Sequence, residues 1–262
     1  MKLRWVILVL VAAALVGCRG LMRPPQPPVV AEKLTPEQLL AQLRARRGEL
    51  QAFEAKGRLT LISPEQNATG TALVKGKFPE TLRVDLRDPL GRSVLSFYTN
   101  GRTVEIFFPR ENKFFQGPAT PGNLAAFLPP GVKPSQAMRL MVGDLPLSPG
   151  PPSRLKAEAG DYLLEWLNSD GSPQERLWVT ADQLQPRKEE WYGADGRLAF
   201  SAELAEFDRL APGRPQQVKL VTAGSQVDLR LTYKEFTPNP SLTQGDLALP
   251  KPPGAAVQPL RP

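Results

Sequence analysis

The stretch Leu82-Arg83-Val84-Asp85-Leu86-Arg87-Asp88-Pro89-Leu90-Gly91 contains both of the local patterns on which the fold depends. In its first six residues apolar and charged side chains alternate, as they do in a strand with one buried face and one wet face,. In its last four residues Asp, Pro and Gly occupy the first, second and fourth positions of a β-turn,. The stretch therefore predicts a strand that runs into a hairpin, with Leu90 at the tip.

The same alternation recurs along most of the chain. It is clear at Val104, Ile106 and Phe108 and again over residues 227–233. Weaker strands fit residues 56–62, 71–77, 93–98, 162–167, 175–180, 187–192, 198–204 and 217–222. These segments amount to about eleven antiparallel strands in meander order, and a sheet of that size curls. We therefore predict one α+β domain over residues 34–250, built on a strongly curved antiparallel sheet.

Helical patterns interrupt the strands. Thr35-Pro36-Glu37-Gln38 is a capping-box pattern, and the leucines that follow form an apolar stripe as far as Gly48,. Two shorter helices are predicted over residues 121–128 and 134–142, the second with Met138 and Met141 on its apolar stripe. Such stripes most often pack into a core. The alternative, which stays open here, is a lid over the concave face of the sheet, with the methionines as adaptable contacts.

The N-terminus has the composition of a bacterial lipoprotein signal peptide. Two basic residues precede an apolar run over residues 5–16, which is too short to span a bilayer but typical of a signal-peptide core,. The run ends at Leu15-Val16-Gly17-Cys18, which resembles the lipobox cut by lipoprotein signal peptidase. An ordinary signal sequence that ends near a cysteine is the alternative. Because Cys18 is the only cysteine, we expect residues 1–17 to be removed and lipid to be attached to Cys18,.

The segments that flank the predicted domain are rich in proline. Residues 18–33 predict an extended tether, and residues 251–262 a flexible tail,. Arg19 follows the cysteine, where an Asp would retain a Gram-negative lipoprotein in the inner membrane. The expected location is therefore the periplasmic face of the outer membrane. The formal charge of +7, without any basic block interleaved with aromatics, favours contact with anionic lipid over nucleic acid,.

The residue inventory excludes several kinds of catalytic site. The chain has no histidine, which rules out Ser-His-Asp and Cys-His catalysis and histidine-metal sites,. Ser153 and Lys156 match a Ser-x-x-Lys pattern without its companion motifs,. Glu189 and Glu190 are adjacent on a strand, so they point to opposite faces and cannot act as a paired acid and base. We therefore expect a binding protein without cofactor or metal, and not an enzyme.

Two segments carry a resemblance to a known family. Ala55-Lys56-Gly57-Arg58-Leu59-Thr60-Leu61 and the later Leu86-Arg87-Asp88-Pro89-Leu90-Gly91 are similar to the LolB outer-membrane lipoprotein receptors. The order of predicted elements resembles theirs over about residues 36–250, and residues 244–254 loosely resemble the closing strand of the LolA/LolB-like group. The resemblance implies a half-open barrel of about eleven antiparallel strands with short helices packed in its concave face. Its apolar cavity would receive acyl chains.

The resemblance also implies partners and site residues. LolB-type proteins accept lipoproteins from a periplasmic LolA-like donor and deliver them to the outer membrane, and the family's exposed loop leucine matches Leu90. Pro89, Leu90 and Gly91 would thus form a membrane-delivery loop. The residues expected to line the lipid cavity are Leu82, Val84, Leu86, Val104, Ile106, Phe108, Met138 and Met141. The protein is expected to be a monomer. The alternative function is that of a structural or assembly lipoprotein that binds a periplasmic protein and has a filled core.

Overall fold

The alternating segments form the strands of one open sheet. The computed structural model describes residues 34–47, 50–62, 67–124, 128, 132–145, 147–158, 160–223 and 227–260. Its strands are β1 (Ala52–Ile62), β2 (Asn67–Lys77), β3 (Thr81–Arg87), β4 (Ser93–Thr99), β5 (Thr103–Phe108), β6 (Lys113–Pro118), β7 (Arg154–Glu158), β8 (Asp161–Leu167), β9 (Pro173–Thr180), β10 (Pro186–Tyr192), β11 (Leu198–Phe207), β12 (Pro215–Thr222), β13 (Asp228–Pro238) and β14 (Ala256–Pro259). Their spatial order is β14-β6-β5-β4-β3-β2-β1-β13-β12-β11-β10-β9-β8-β7.

The described sheet has 14 strands where about eleven were predicted, and it is not closed into a barrel. The sequence missed β6, β7 and β14. Strand β7 is an edge strand whose side chains are mostly exposed, so it lacks the apolar alternation that marks a strand,. Strand β14 lies in the proline-rich tail that was predicted to be flexible. It pairs in parallel with β6, from Ala256 opposite Lys113 to Pro259 opposite Gln116. Its proline is tolerated because an edge strand has one unpaired side.

Four short helices accompany the sheet in the described ranges: α1 (Pro36–Arg47), α2 (Pro121–Leu124), α3 (Pro134–Met141) and α4 (Gln244–Leu247). The predicted capping box of α1 is present, because Thr35 N donates to Gln38 Oε1 at 2.8 Å and Gln38 N to Thr35 Oγ1 at 3.2 Å. The resemblance to a closing strand after residue 244 was wrong. Thr243 and Asp246 instead cap α4 reciprocally. Among the described residues, no helix has both the length and the apolar character to cross a bilayer.

Both faces of the sheet are covered in part. The inner face carries Leu82, Leu86, Val104 and Ile106, which are all buried, and α3 lies against β3 on this side. The outer face of β4–β6 is covered by the C-terminal segment (residues 240–260). There Tyr98, Phe114, Leu247 and Leu249 form a second buried cluster. Thr35–Pro262 forms one compact unit, and with its own buried cores it is expected to fold by itself,.

Gly57, the glycine of the LolB-like segment, lies at a β-bulge. The pairing of β1 with β13 shifts register between Lys56 and Gly57. A Cβ at Gly57 would lie 2.5 Å from Thr232 O and 2.9 Å from Tyr233 Cα. These are backbone atoms of the neighbouring strand, which cannot move without disturbing the pairing. Only glycine fits this bulge without a shift of β13.

Replacing Gly57 with alanine is therefore expected to destabilise the domain by about 1–3 kcal/mol, the usual range for overpacking. For a domain of this size, each kcal/mol lowers Tm by about 2–4 °C. Gly150→Ala is the matched control, because a Cβ there meets no atom within 4 Å. Thermal melts of both variants test the prediction, and equal Tm values for the two would contradict it.

Candidate functional site

The tip turn (residues 88–91) between β3 and β4 is the predicted delivery loop. Gly91 N donates to Asp88 O at 2.9 Å, which closes the predicted turn, and Gly91 adopts φ +80°. The Asp88 carboxylate accepts hydrogen bonds from Leu90 N at 2.9 Å and Arg92 N at 3.0 Å. With the backbone held in this way, Leu90 projects outward with 76% of its surface exposed. The interpretation of Leu90 as a residue at the hairpin tip is consistent with this geometry.

Two arginines bind the carboxylate of the tip turn. Asp88 Oδ2 accepts from Arg92 Nε at 2.8 Å and from Arg110 Nη2 at 2.7 Å. Desolvation raises the pKa of Asp88, but the hydrogen bonds and charge of Arg92 and the amide of Leu90 outweigh it, so this pKa lies below its ordinary value. The carboxylate therefore stays ionised and keeps both guanidinium groups beside Leu90. Ile62, which is 48% exposed, ends β1 at the same end of the sheet.

The predicted cavity residues lie on the inner face but form a packed layer. Leu82, Leu86, Val104, Ile106 and Met138 are at most 5% exposed. Three further predicted residues are half-buried: Val84, Phe108 and Met141. Clefts of about 470, 480 and 510 Å³ lie elsewhere on the domain, and none of the predicted residues lines them. In this structure the space beneath α3 is occupied by side chains.

Helix α3 is fastened to the sheet mainly at its C-terminal end. Tyr233 Oη of β13 donates to Met141 O at 3.0 Å, and Arg214 Nη1 donates to Val142 O at 3.2 Å. These bonds satisfy carbonyls that the end of a helix leaves without intrahelical partners. The apolar side of α3 faces the sheet, and Met138 is fully buried. The helix is thus positioned as a cover over the inner face.

The segment after α3 is held by two buried glutamates that the sequence analysis did not connect. This strap (Leu145, Leu147 and Ser148) is buried against the inner face. Glu175 of β9 accepts hydrogen bonds from Leu147 N at 2.8 Å and Ser148 N at 2.7 Å. Glu189 of β10 accepts from Leu147 N at 3.2 Å. Both glutamates are 0% exposed, so the two carboxyl groups form a buried pair beneath the strap.

This buried pair has consequences for protonation. Burial raises the pKa of Glu189 well above its ordinary value, and the hydrogen bond and charge of Glu175 raise it further. The amide of Leu147 and the charge of Arg139 oppose this shift. Glu190, on the other face of β10, is partly desolvated, but Lys188 and Tyr192 bind it and hold its pKa below the ordinary value. The predicted separation of Glu189 and Glu190 onto opposite faces matches this arrangement.

Replacing Glu189 with glutamine is expected to stabilise the domain at neutral pH. A carboxyl whose pKa is higher in the folded state than in the unfolded state stabilises the folded domain at low pH. This contribution to stability is lost as the pH rises from the unfolded-state pKa through the folded-state pKa. The gain in stability should be largest at pH 8, where the buried carboxylate is most costly, and should vanish near pH 4,. Urea melts across this pH range measure the effect.

Glu190→Gln is the control, because its expected effect on stability has the opposite sign. Since its folded pKa is depressed, its ionised form stabilises the domain above the unfolded pKa, and that stability is lost as the pH falls. This variant should therefore lose stability at neutral pH and match the parent near pH 3. If Glu189→Gln destabilises the domain at every pH, Glu189 is ionised in the folded domain, which would contradict its raised pKa.

The predicted lipid anchor, Cys18, lies outside the described residues. So do the predicted signal peptide (residues 1–17) and tether (residues 18–33). Their processing, lipidation and role in localisation remain predictions from the sequence.

Comparison of the domain with solved structures shows its fold. A LolA-superfamily protein from Nitrosomonas europaea matches with a TM-score of 0.56 and 18% identity, over 82% of this chain and 98% of that chain. The domain has a LolA-like fold. A putative outer-membrane lipoprotein-sorting domain from Vibrio parahaemolyticus matches with a TM-score of 0.54 and 13% identity, over 81% and 95% of the two chains.

A third structure widens the group that shares this fold. A DUF1329-family protein from Desulfovibrio piger matches with a TM-score of 0.55 and 12% identity, covering 85% of this chain and 98% of that chain. No model of a known protein family matches the sequence, and no curated protein matches it either. The similarity is therefore one of architecture, and the LolA-like sheet with its short helices is the part of the sequence prediction that it supports.

Proposed function

We propose that this protein is an outer-membrane-anchored, LolB-like lipoprotein that accepts the acyl chains of lipoproteins or lipids and delivers them to the membrane. The observation that carries the proposal is Leu90, which is 76% exposed on a turn with a hydrogen-bonded backbone. An apolar side chain at such a tip contributes no core packing. Insertion into the acyl layer of a membrane gives it a favourable environment.

The cations around Leu90 support membrane contact. Arg92 and Arg110, both held by Asp88, stand where the headgroups of an anionic leaflet would lie if Leu90 entered the bilayer. Basic residues near such a surface each contribute about 1 kcal/mol of attraction. A lipid on Cys18 and a proline-rich tether over residues 18–33 would keep the domain near its target membrane.

The inner face is the proposed acyl site. Its apolar residues beneath α3, among them Leu82, Ile106 and Met138, are closed off in this structure. We propose that an acyl chain enters by displacing α3 while the strap stays bound to Glu175 and Glu189. Methionine is suited to such a cover because its unbranched side chain adapts to different neighbours. Binding and release, without a chemical step, would complete the cycle, with a LolA-like protein as donor.

The filled inner face favours a second candidate from another class. A structural or assembly lipoprotein that binds a periplasmic protein would have a permanently packed core like the one described here. Such a protein would use its surface rather than its inner face, and α3 would not move.

Lipid analysis of the purified domain (residues 35–262) separates the two functions. Native mass spectrometry should detect co-purifying acyl lipid, and a fluorescent fatty acid should bind and be displaced by palmitate. A domain that carries no lipid and excludes the probe at all concentrations would favour the assembly role and contradict the carrier.

A further inference from the structure

A cleft of about 510 Å³ lies between the outer face of the sheet and the C-terminal segment, on the side opposite the proposed acyl site. The wall formed by β2 and β3 presents Lys75, Arg83 and Arg87. The opposite wall comes from the C-terminal segment, with Asp246, Leu249, Pro250 and Pro252 among its residues. Three cations therefore converge on one concave site that the proposed carrier function does not use.

The two acidic side chains of the cleft already accept hydrogen bonds from protein donors. The Asp85 carboxylate binds Arg83 Nε at 2.8 Å and Ser96 Oγ at 2.6 Å. The Asp246 carboxylate accepts from the backbone amide of Thr243 at 2.8 Å and from its hydroxyl at 2.6 Å. These bonds turn both carboxylates toward protein donors. Asp246 keeps its negative charge because both of its donors are neutral, so the three cations and two carboxylates of the lining leave a formal charge of +1.

The three cations differ in how strongly other protein groups bind their side chains. Arg83 donates through Nη1 to Ala248 O at 2.9 Å, which ties the C-terminal segment to the sheet. Lys75 Nζ lies 3.5 Å from Glu54 Oε2, a long and weak ion pair. Arg87 makes no side-chain hydrogen bond or ion pair with any residue in the described ranges. The guanidinium of Arg87 is thus available to a ligand, and the ammonium group of Lys75 can turn toward one.

One end of the cleft lies next to the tip turn that carries Leu90. Arg87 is the last residue of β3 and directly precedes the tip turn, and Ser93 opposite it adds a hydroxyl to the lining. Pro109, from the β5–β6 turn that carries Arg110, lines the same end. The open end of the cleft is therefore beside the residue that we propose to enter the membrane.

We propose that this cleft is a phosphate site, filled by the phosphate of an anionic phospholipid headgroup or by a free phosphate ion. A planar guanidinium binds two phosphate oxygens at once, and Lys75 and Ser93 supply further donors. The headgroup source rests on the proposed function, because it requires Leu90 to reach the bilayer. The phosphate chemistry itself does not depend on acyl binding at the inner face.

The test titrates the domain with dihexanoyl phosphatidylglycerol, dihexanoyl phosphatidylcholine and inorganic phosphate, followed by NMR. Arg87→Gln should weaken binding of the phosphatidylglycerol about fivefold, the effect of one basic residue at an anionic surface. Arg102→Gln is the matched control. Arg102 is exposed in the β4–β5 turn at the opposite end of the sheet, and its loss should change nothing.

The outcomes separate the sources and the proposals. If the domain binds the anionic lipid more tightly than inorganic phosphate, and the resonances of Ser93 and Ser96 shift, the ligand of the site is a lipid headgroup. If inorganic phosphate binds with equal affinity, the ligand is the free ion. Absence of binding, or equal weakening by Arg87→Gln and Arg102→Gln, overturns the site. A fluorescent fatty acid measured on the same samples reports the inner face independently, so failure of the carrier function and failure of the phosphate site are distinguishable.

Discussion

Replacing Leu90 with glutamate is expected to reduce transfer of acylated cargo into liposomes by about 30- to 150-fold. Moving a carboxylate into the apolar layer costs about 2–3 kcal/mol, where leucine gains free energy. Stability should change by less than about 0.5 kcal/mol, because Leu90 is 76% exposed and loses no buried contact,. Binding of a fatty acid at the inner face should persist, since the tip turn lies outside it.

The controls for Leu90 separate position from charge. Val257→Glu places the same charge on another exposed apolar residue, in β14, and should leave transfer unchanged. Leu90→Gln removes the apolar side chain without adding charge and should give an intermediate loss. A large fall in Tm for Leu90→Glu would show that Leu90 is a core residue in solution. Normal stability with normal transfer would leave the turn exposed but refute its delivery role.

Truncating both buried leucines of the C-terminal segment should produce the largest loss of stability. Leu247 and Leu249 are 2% and 8% exposed and pack with Tyr98 and Phe114 on the outer face. Each Leu→Ala change in a core costs about 2–5 kcal/mol, so the double variant should lose about 4–10 kcal/mol and be partly unfolded. Leu247 is also the buried residue of helix α4, so its truncation removes the apolar contact of that helix.

Val257→Ala is the matched control for this double variant, because Val257 is 45% exposed in β14 and its truncation should be nearly neutral. Chemical denaturation of the three proteins measures the difference. If the double variant keeps the stability of the parent, the C-terminal segment is detached in solution, and the sequence-based expectation of a flexible end would apply to α4 as well.

The elements that sequence analysis predicted are those whose signals are local. Alternation identified β3, β5 and β13, the Asp-Pro-x-Gly pattern identified the tip turn, and Thr35 with Gln38 marked the start of α1. Each signal lies within a few residues of the element that it specifies. The correct phase of β3 and β5 has the same origin, since a period of two fixes which side chains share a face.

The features that were missed depend on residues far apart in sequence. Strand β14 forms because the edge of β6 is free to pair with it, and its partners Lys113 and Gln116 lie more than a hundred positions before it. Glu175 and Glu189 meet only through the register of β9 with β10, in which Glu189 lies opposite Leu177. The filled inner face is likewise a result of tertiary packing, because alternation predicts which side chains point inward but not what covers them.

The central claim is that the inner face opens to take an acyl chain, and methyl NMR tests it most directly. Titrating the domain (residues 35–262) with palmitate should shift the methyl resonances of Met138 and Ile106 in a saturable manner. Those of Leu247, on the outer face, should stay in place because that cluster lies on the other side of the sheet. If palmitate leaves the Met138 and Ile106 resonances unchanged at saturating concentration, the inner face is a permanent core and the carrier account is wrong.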